Sequence, residues 1–501
     1  MSELPQGWAV ARIGEICEAS QYGFTAKAQS SGDVHFLRTT DITSGDVDWA
    51  TVPYCNIQKT DKEKYLLKDG DVVISRAGSV GYSYLLRNPK PSVFASYLIR
   101  FRPLISAEYF SYFLKTPAYW EAISEQSLGI AVQNVNATKL AEIEIPIAPA
   151  SEQARIVEKL EELLSDLDAG VAELKAAQRK LAQYRQSLLK AAVDGTLTAD
   201  WRAAHGAPQE TGAELLQRIL TERRARWEQK QLAKYAKQGK TPPKGWQAKY
   251  PEPVAPDLTD LPPLPQGWTW ASVEQLAELT SGHTPKDAGQ FAQDDGVVHW
   301  FKVGDMNTPG NEDVLTAASA RFTKEAASEL GLKLAPAGTI VFPKRGGAIA
   351  TNKKRRLGVL AAYDLNMMGL VPAPSAAEWL WSWFKGVDLA KLSDGSNIPQ
   401  INNPDIAPLH LPIPPAVELE VLIGRLEKSL ESTAQQEEAV AKALKQAAAQ
   451  RKNVLKSAFT GRLVPQDPND EPASALLARI RAKHCEEVRE RPSTSRARKA
   501  R

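Results

Sequence analysis

The chain opens with the stretch Leu4-Pro5-Gln6-Gly7-Trp8, and the same five letters return as Leu264-Pro265-Gln266-Gly267-Trp268. A five-residue match that contains tryptophan rarely arises by chance, and internal repeats of this kind decide the fold. Three later pairs keep the same order: Asp41 with Asp305, the apolar run from Gly70 with the run from Gly338, and the proline-rich run from Ile145 with the run from Leu411. The sequence therefore predicts two copies of one unit, related by a pseudo-twofold axis.

Each copy also contains a long stretch with helical periodicity. Residues 152 to 193 contain no proline, and leucine recurs there every seven residues, which is typical of a coiled coil. Residues 416 to 459 carry a weaker heptad repeat that Glu437 and Arg451 interrupt. Two such helices, each about 60 Å long, would bury their apolar stripes by pairing antiparallel. The alternative is that each helix packs on its own domain. The expected seam consists of Leu160, Leu167, Leu174, Leu181, Leu188, Leu426, Leu430, Val440 and Leu444.

The rest of each copy predicts a mixed globular domain. Short strand-like runs dominate residues 1 to 150, with one helix expected over residues 107 to 123, and residues 263 to 415 repeat the pattern. We therefore expect an α/β (α+β) fold, with globular domains in tandem repeat separated by two long antiparallel coiled-coil helices. The expected order is a first domain over 1–150, a spacer helix over 151–195, a basic helical hairpin and linker over 196–262, a second domain over 263–415, a second spacer helix over 416–461, and a basic, partly disordered tail over 462–501.

Composition excludes several classes of protein. The 501 residues include 62 Lys and Arg and 59 Asp and Glu, so the net charge of +3 does not fit a histone-like polycation or an acidic tail protein. No apolar run reaches the roughly 18 residues of a membrane span, and the first residues lack a signal-peptide pattern, so we expect a cytoplasmic protein with no membrane partner. Cys17, Cys55 and Cys485 are too few and too scattered for a disulfide framework or a zinc cluster.

The sequence lacks recognisable catalytic motifs. It has no G-x-x-x-x-G-K-[ST] phosphate-binding loop, and its six histidines are dispersed without a metal-binding or triad spacing. The stretch Asn403-Pro404-Asp405-Ile406 lacks the aromatic residue of an adenine methyltransferase motif. We therefore expect no catalytic residue, metal site or cofactor site in this chain. A binding protein is favoured over a stand-alone enzyme.

The loops differ more between the copies than the strands do. Arg76 follows the run from Gly70, and Lys344 and Arg345 follow the run from Gly338. A single basic loop is most often a solvated turn, but the same placement in both copies makes ligand binding an equal alternative. Similar frames with different polar loops predict two related surfaces that recognise different ligands.

Taken together, these motifs resemble the specificity subunits of type I restriction-modification systems. The matching features are the LPxGW opening, the G-D-[VI]-[VI] strand before a basic turn, and a Gly-x-x-x-Gln type loop at 129–134, which is one residue longer at 395–400. The exits at 145–160 and 411–426 are similar to the family's entry into its conserved helices. The first exit carries the usual Glu-Gln pair and the second carries Glu-Leu. The resemblance extends from residue 2 to about residue 465.

The resemblance implies a division of labour. Each domain would be a target recognition domain that reads one half of a bipartite site in double-stranded DNA. The helices would set the gap and dock two copies of the methyltransferase subunit and the nuclease/translocase subunits. S-adenosylmethionine, ATP and Mg would serve those partners. The candidate DNA-binding residues are Arg76, Lys344, Arg345, Lys27, Lys286, Gln133, Gln400, Tyr22, Arg38, Lys302, Lys353 and Arg355. The alternative function is a duplicated coiled-coil scaffold that binds proteins or glycans and has no nucleic-acid role.

The charge distribution departs from that of a simple DNA-binding domain. Residues 1–150 contain 14 basic and 16 acidic side chains, and residues 263–415 contain 13 and 15, so neither domain is net basic. An excess of basic residues lies at 196–250, with 11 basic and 5 acidic side chains. Attraction to DNA is therefore expected from local placement of cations or from partner subunits.

Overall fold

The structure is a computed structural model that describes residues 4–127, 134–286, 288–293 and 296–490. The chain forms two compact units. The first combines residues Met1–Ala177 with Ala439–Arg501, and the second comprises residues Gln178–Glu438. Each boundary falls inside one of the two long helices, so each unit contains part of both helices.

The first unit begins with short strands and helices followed by one long helix. These are β1 (Ala9–Arg12), β2 (Gln21–Tyr22), β3 (Val34–Leu37), α1 (Thr39–Ile42), β4 (Tyr54–Cys55), α2 (Lys59–Tyr65), β5 (Val72–Ser75), β6 (Ser83–Leu85), β7 (Ser92–Phe94), β8 (Leu98–Phe101), α3 (Ala107–Phe113), α4 (Pro117–Ser127), α5 (Ala137–Glu142), β9 (Glu144–Ile147) and α6 (Ala150–Val193). Strands β2-β8-β5-β6 form an antiparallel sheet. Strands β4-β3-β7 form a second sheet, in which β3 and β7 are parallel, and β1 pairs with β9.

The second unit also combines short strands and helices with part of a long helix. Its elements, and the helix that follows them, are α7 (Ala199–His205), α8 (Gly212–Lys237), β10 (Thr269–Ser272), α9 (Val273–Leu276), β11 (Ala277–Ser281), β12 (Val298–Phe301), β13 (Val314–Leu315), β14 (Ala320–Phe322), α10 (Lys324–Glu329), β15 (Ile340–Pro343), β16 (Arg355–Leu357), β17 (Ala361–Tyr363), β18 (Met367–Pro372), α11 (Ala377–Lys385), α12 (Leu389–Leu392), α13 (Asn403–Ile406), β19 (His410–Ile413), α14 (Ala416–Ala458) and α15 (Ala473–Glu490). The sheets are β11-β18-β15-β16-β13, β14-β12-β17 and the pair β10-β19. Helix α15 lies in the first unit.

The mixed helix and sheet content with long helices is as predicted, but the helix expected over residues 107 to 123 is wrong as a single element. It is divided into α3 and α4 at Thr116 and Pro117. The hydroxyl of Thr116 accepts the N–H of Tyr119 at 3.2 Å, and Pro117 suits the first position of a new helix. The cap and the proline therefore restart the helix at this point.

The two long helices contribute side chains to the core of each unit. In the first unit, Leu160 of α6 and Leu455 of α14 belong to one buried cluster. In the second unit, Leu188 of α6 shares a cluster with Leu426 of α14. The other predicted seam residues are half-buried: Leu167, Leu174, Leu181, Leu430, Val440 and Leu444. This burial is compatible with the predicted seam.

The two residues expected to interrupt the seam form ion pairs. Arg451 contacts Asp168 within the first unit, and Glu437 lies 3.9 Å from Arg185 within the second. Both Arg451 and Glu437 are half-buried. Opposite charges on the facing helix therefore accommodate these two polar positions.

The repeated LPQGW stretch connects each domain to a long helix. The indole N–H of Trp8 donates to Glu152 Oε2 at 3.0 Å, and the indole N–H of Trp268 donates to Glu418 Oε2 at 2.9 Å. Both carboxylates lie in the first turn of their helix, where the helix dipole favours negative charge. The pairing explains why tryptophan and glutamate occur at matching places in both halves.

Candidate nucleic-acid interface

In the first unit, Arg76 lies directly after β5 in a small polar cluster. Its guanidinium lies over the ring of Tyr22, 5.0 Å from the centroid, and its Nε–H donates to Asn134 Oδ1 at 3.4 Å. The Tyr22 side chain is 41% exposed, and its hydroxyl accepts the N–H of Ala137 at 3.0 Å. The cluster therefore presents a held arginine and an exposed aromatic ring at the end of the β2-β8-β5-β6 sheet.

In the second unit, Lys344 takes the corresponding place after β15. Its Nζ donates to Ser281 Oγ at 3.4 Å. The next residue, Arg345, forms an isolated β-bridge with Gln400, as Ala77 does with Asn134 in the first unit. Three predicted residues, Lys344, Arg345 and Gln400, are therefore neighbours in the structure.

The backbone around the two clusters is the same. The N–H of Arg76 donates to Tyr97 O at 2.9 Å and that of Lys344 to Asn366 O at 2.8 Å. The carbonyl of Arg76 accepts the N–H of Val135 at 3.0 Å, and that of Lys344 accepts the N–H of Ile401 at 2.9 Å. These bonds pair Arg76 with Lys344, Tyr97 with Asn366 and Asn134 with Gln400, so one frame presents two different sets of side chains.

In each unit a glycine follows the residue that contacts the cation, Tyr22 in the first unit and Ser281 in the second. Gly23 follows Tyr22 and donates its N–H to Leu98 O at 3.1 Å, and Gly282 follows Ser281 and donates to Met367 O at 3.2 Å. A Cβ atom at either glycine would overlap a backbone carbonyl of the neighbouring chain segment. Because only glycine allows this close approach, the residue before it is held beside the cation in both units.

Charge is concentrated at the second cluster. Burial, and the nearby Arg345, lower the pKa of Lys344. Arg345 itself is exposed. Two neighbouring cations repel each other, and a negatively charged or electron-rich group placed between them would relieve that repulsion.

The other predicted residues divide into exposed and internally bound side chains. Lys27 and Lys286 are exposed in loops that follow β2 and β11. Arg38 makes a bidentate contact with Asp41, at 2.8 and 3.1 Å, and this hydrogen bonding raises the pKa of Arg38. Its counterpart Lys302 lies 5.1 Å from the centroid of the Trp300 ring.

Two residues of the basic run near β16 are bound within the protein. Lys353 donates to Asn307 Oδ1. Arg355 donates to the carbonyls of Asn311, Lys354 and Met306 at 2.6, 2.8 and 3.3 Å, which occupies three of its five N–H groups. Arg355 therefore has fewer donors left for an external ligand. Gln133, with residues 129–133 of its loop, lies outside the described residues.

Sequence reasoning did not select Asn134 or Ser281 as site residues. Each contacts a predicted cation from a distant part of the chain, Asn134 contacting Arg76 and Ser281 contacting Lys344. Tyr97, which is 60% exposed, also lies in the first frame. The available signal was weak: Ser281 is the residue before Gly282, just as Tyr22 precedes Gly23.

The described residues contain no group of three or more His, Cys, Asp or Glu side chains that could hold a metal ion. None of the described helices is both long and apolar enough to cross a membrane. The groups that the two frames place at the surface are hydrogen-bond donors, acceptors, cations and an aromatic ring. Such groups can bind and discriminate a polar, anionic ligand.

The protein is thus of a class in which mixed α+β domains are joined to long helices. In both domains the same backbone hydrogen bonds surround different polar side chains. The type I restriction modification DNA specificity domain matches residues 5–176. The type I restriction enzyme StySPI specificity subunit of Salmonella potsdam is 30% identical over 215 residues, which cover 40% of this chain and 46% of the relative. The EcoDI specificity subunit of Escherichia coli is 22% identical over 496 residues, 96% of each chain.

The solved structure described as "Structural basis underlying complex assembly and conformational transition of the type I R-M system" has a similar fold. Its TM-score is 0.62 at 15% identity, and the alignment covers 92% of this chain and 100% of that chain. The chain spans about half the length of curated relatives such as the StySPI and EcoKI subunits, at 46% and 45%. These matches confirm the resemblance predicted from the sequence: the chain is similar to the specificity subunits of type I restriction-modification systems.

Proposed function

We propose that this chain is the DNA-specificity subunit of a type I restriction-modification complex and that its two domains read the two halves of a bipartite site. The observation that carries the proposal is the matched frame around Arg76 and Lys344. Equivalent backbone positions hold Arg76, Asn134 and Tyr22 in one unit. In the other unit they hold Lys344, Gln400 and Ser281.

The chemistry of the two frames favours two different half-sites. An arginine offers a planar fork of donors, whereas a lysine offers a compact point charge. Arginine or lysine can donate to guanine O6 and N7, and asparagine or glutamine can pair with adenine. Different sets of donors on one backbone frame are what an asymmetric, bipartite target requires.

The long helices would act as the spacer. We propose that the two halves are tandem copies related by a pseudo-twofold axis, and that α6 and α14 pair antiparallel as a coiled coil. The ion pairs of Asp168 with Arg451 and of Arg185 with Glu437 support this pairing. The spacer would dock two methyltransferase subunits and the nuclease/translocase subunits.

The reaction itself would belong to the partner subunits. S-adenosylmethionine, ATP and Mg would bind there. This chain would recognise the DNA sequence and would contribute no catalytic residue. Such a subunit would work in the cytoplasm, beside the DNA. A duplicated scaffold with no nucleic-acid role is less favoured because the matched domain over residues 5–176 is a DNA specificity domain.

The test is selection of DNA by the reconstituted complex. The full chain is combined with its methyltransferase subunit and incubated with a library of randomised duplexes, and the bound fraction is sequenced. We expect two specified blocks of base pairs separated by an unspecified gap of constant length. Equal recovery of all duplexes would overturn the proposal and favour the scaffold function.

A further inference from the structure

The end of α8 and the chain after it form a compact reversal, which we call the lysine hairpin (residues 229–251). Gly239 adopts φ +63°, and the N–H of Lys240 donates to the carbonyl of Tyr235 at 3.0 Å. This is the hydrogen bond of a helix that ends on a left-handed glycine. The adjacent prolines Pro242 and Pro243 then prevent a second helix from forming directly, and the chain runs back towards a short 3-10 turn at Trp246–Lys249.

Aromatic side chains hold the returning chain against the helix. The ring of Trp246 lies 5.7 Å from that of Trp227 and 6.5 Å from that of Tyr235. Tyr250 lies 5.4 Å from Trp227. Trp246 and Tyr250 are each only 9% exposed, so the returning limb is packed in place. The helix and the returning limb, which both carry exposed lysines, are thereby held together.

The lysine hairpin carries only positive charge. Residues 229 to 251 contain six lysines and no aspartate or glutamate. All six are exposed: Lys230, Lys234, Lys237, Lys240, Lys244 and Lys249. Lys230 pairs with Glu278 at 2.8 Å, whereas no ion pair joins the other five to a carboxylate within the described residues. An ordered surface with five unneutralised ammonium groups attracts a polyanion.

In the earlier turns of α8, two arginines are already paired with carboxylates. Arg218 lies 2.9 Å from Glu210 and 3.6 Å from Glu222, so its charge is already balanced. Arg224 lies 3.4 Å from Glu228 and 3.6 Å from Glu252. Arg223 and Arg226 of the same helix donate to the carbonyls of Ala277 at 3.0 Å and Glu222 at 3.3 Å, and no ion pair joins them to a carboxylate within the described residues. The unbalanced charge is therefore greatest in the lysine hairpin and extends into the turns of α8 just before it.

We infer that the lysine hairpin contacts the phosphate backbone of duplex DNA independently of sequence. The inference rests on the proposed function and adds to it a source of affinity. Neither domain is net basic, with 14 basic and 16 acidic residues in 1–150 and 13 and 15 in 263–415, so electrostatic attraction requires local groups of cations or partner subunits, and the lysine hairpin is one such group. Lysine ammonium groups suit phosphates as point charges and carry little base discrimination.

The test compares the salt dependence of binding in the reconstituted complex. The variant replaces five lysines by glutamine: Lys234→Gln, Lys237→Gln, Lys240→Gln, Lys244→Gln and Lys249→Gln. Dissociation constants are measured between low and moderate salt for a duplex selected as target and for an unrelated duplex. Removing one lysine–phosphate interaction reduces the magnitude of the slope of log K against log salt by about 0.9, so removing three to five of them reduces it by roughly 2.7 to 4.5. We expect the affinity of the complex for both duplexes to fall by the same factor, so the ratio of the two affinities stays unchanged.

Two further variants make the comparison specific. The control Arg218→Gln with Arg224→Gln removes two charges that carboxylates already balance. Its change in slope per replaced residue should be much smaller than that of the five-lysine variant. Trp246→Ala keeps every lysine but releases the returning limb, and it should weaken binding to both duplexes. Circular dichroism checks that each variant remains folded.

The outcomes separate the two proposals. An unchanged slope in the five-lysine variant, with target preference intact, overturns the inference and points to an acidic protein as the ligand of the hairpin. Loss of affinity for the target alone overturns it as well. A wild-type complex without target preference overturns the proposed function, whereas a reduced slope in the variant would still support the phosphate interaction.

Discussion

Arg76 and Lys344 occupy equivalent backbone positions but have different neighbours. Arg76 lies against the ring of Tyr22, which restricts its planar guanidinium, and it donates to Asn134. Lys344 donates to Ser281 Oγ and lies next to a second cation, Arg345. A guanidinium that is already restricted loses less side-chain entropy on binding than a free one. Arg76 is therefore suited to paired hydrogen bonds with one base.

The first prediction separates these two side chains. In the reconstituted complex, Arg76→Ala should reduce affinity for the target by about 1–3 kcal/mol and relax preference at one base pair in one half-site. Lys344→Ala should do the same in the other half-site. Binding to a panel of duplexes with single base-pair changes measures both effects.

An ion pair that involves none of the residues of either cluster supplies the control for this prediction. Arg87→Ala removes a guanidinium that lies 3.0 Å from Glu161, and it should leave the base preferences unchanged. Because Arg76 and Lys344 lie in different units and would read different half-sites, the double variant should lose the sum of the two free energies. If either single variant weakens all duplexes alike, that residue contacts phosphate and does not read a base.

At the scale of single residues, sequence reasoning found positions more readily than partners. Arg76 and Lys344 could be selected because each follows a recognisable apolar strand. Ser281 lies 63 residues before Lys344 along the chain, so no local pattern links them. The sequence predicts Arg355 as a DNA-binding residue, but its guanidinium donates to three carbonyls, because the fold brings β16 beside the loop at Met306–Asn311.

The contact between each LPQGW stretch and its helix is similar in the two units, but the surroundings of the carboxylate differ. Glu418 also accepts the hydroxyl of Thr198 at 2.6 Å and pairs with Arg202. Glu152 has no comparable support, and its buried Oε1 has no hydrogen-bond partner within the described residues. Burial raises the pKa of Glu152, while the hydrogen bond from Trp8 opposes the rise.

The second prediction follows from that difference. Glu152→Gln keeps an acceptor for Trp8 and removes the buried charge. Since the folded state raises the pKa of Glu152, the stability that this carboxyl contributes is present at low pH and is lost as the pH rises through its folded pKa. The variant should therefore be at least as stable as wild type at pH 7, by up to about 1 kcal/mol, and the difference should shrink towards pH 5. Thermal unfolding of both proteins at several pH values measures it.

Glu418→Gln is the matched control in the other unit. It weakens the contact with Arg202, a partly buried guanidinium, and should lower the free energy of unfolding by roughly 2 kcal/mol at pH 7. A comparable loss of stability in the Glu152 variant would contradict the prediction, because it would show that the Glu152 carboxylate is stabilised as an ion.

At the scale of elements, the long helices were the most predictable part. A heptad repeat without proline gave expected ranges of 152 to 193 and 416 to 459, against Ala150–Val193 and Ala416–Ala458 in the structure. The pairing of strands was not predictable. For example, β3 and β7 are parallel although more than fifty residues separate them, and only tertiary packing selects such a partner.

At the scale of the whole molecule, the chain completes its first unit only at its far end. Phe459, near the end of α14, lies 4.8 Å from the ring of Tyr109, which is fully buried. In the same unit, the N–H of Ala473 donates to the carbonyl of Gly7, the residue before Trp8, at 2.8 Å. The core therefore depends on contacts between residues hundreds of positions apart, and such contacts slow folding.

The proposed spacer gives the last prediction. If α6 and α14 set the distance between the two half-sites, adding one heptad to both helices should lengthen the spacer by about 10 Å, because an α-helix rises 1.5 Å per residue. Seven residues preserve the a/d seam, so the insertions are placed after Ala177 in α6 and after Glu438 in α14.

About 10 Å corresponds to roughly 3 base pairs of B-DNA, at 3.4 Å each. The complex with both insertions should therefore select a gap about 3 base pairs longer while keeping the same base preferences in each block, as measured by selection from randomised duplexes. A control that replaces seven exposed residues of α6 without changing its length should keep the original gap. Selection of the original gap by the lengthened complex would show that another part of the assembly sets the separation, since the two frames would then hold their distance independently of these helices.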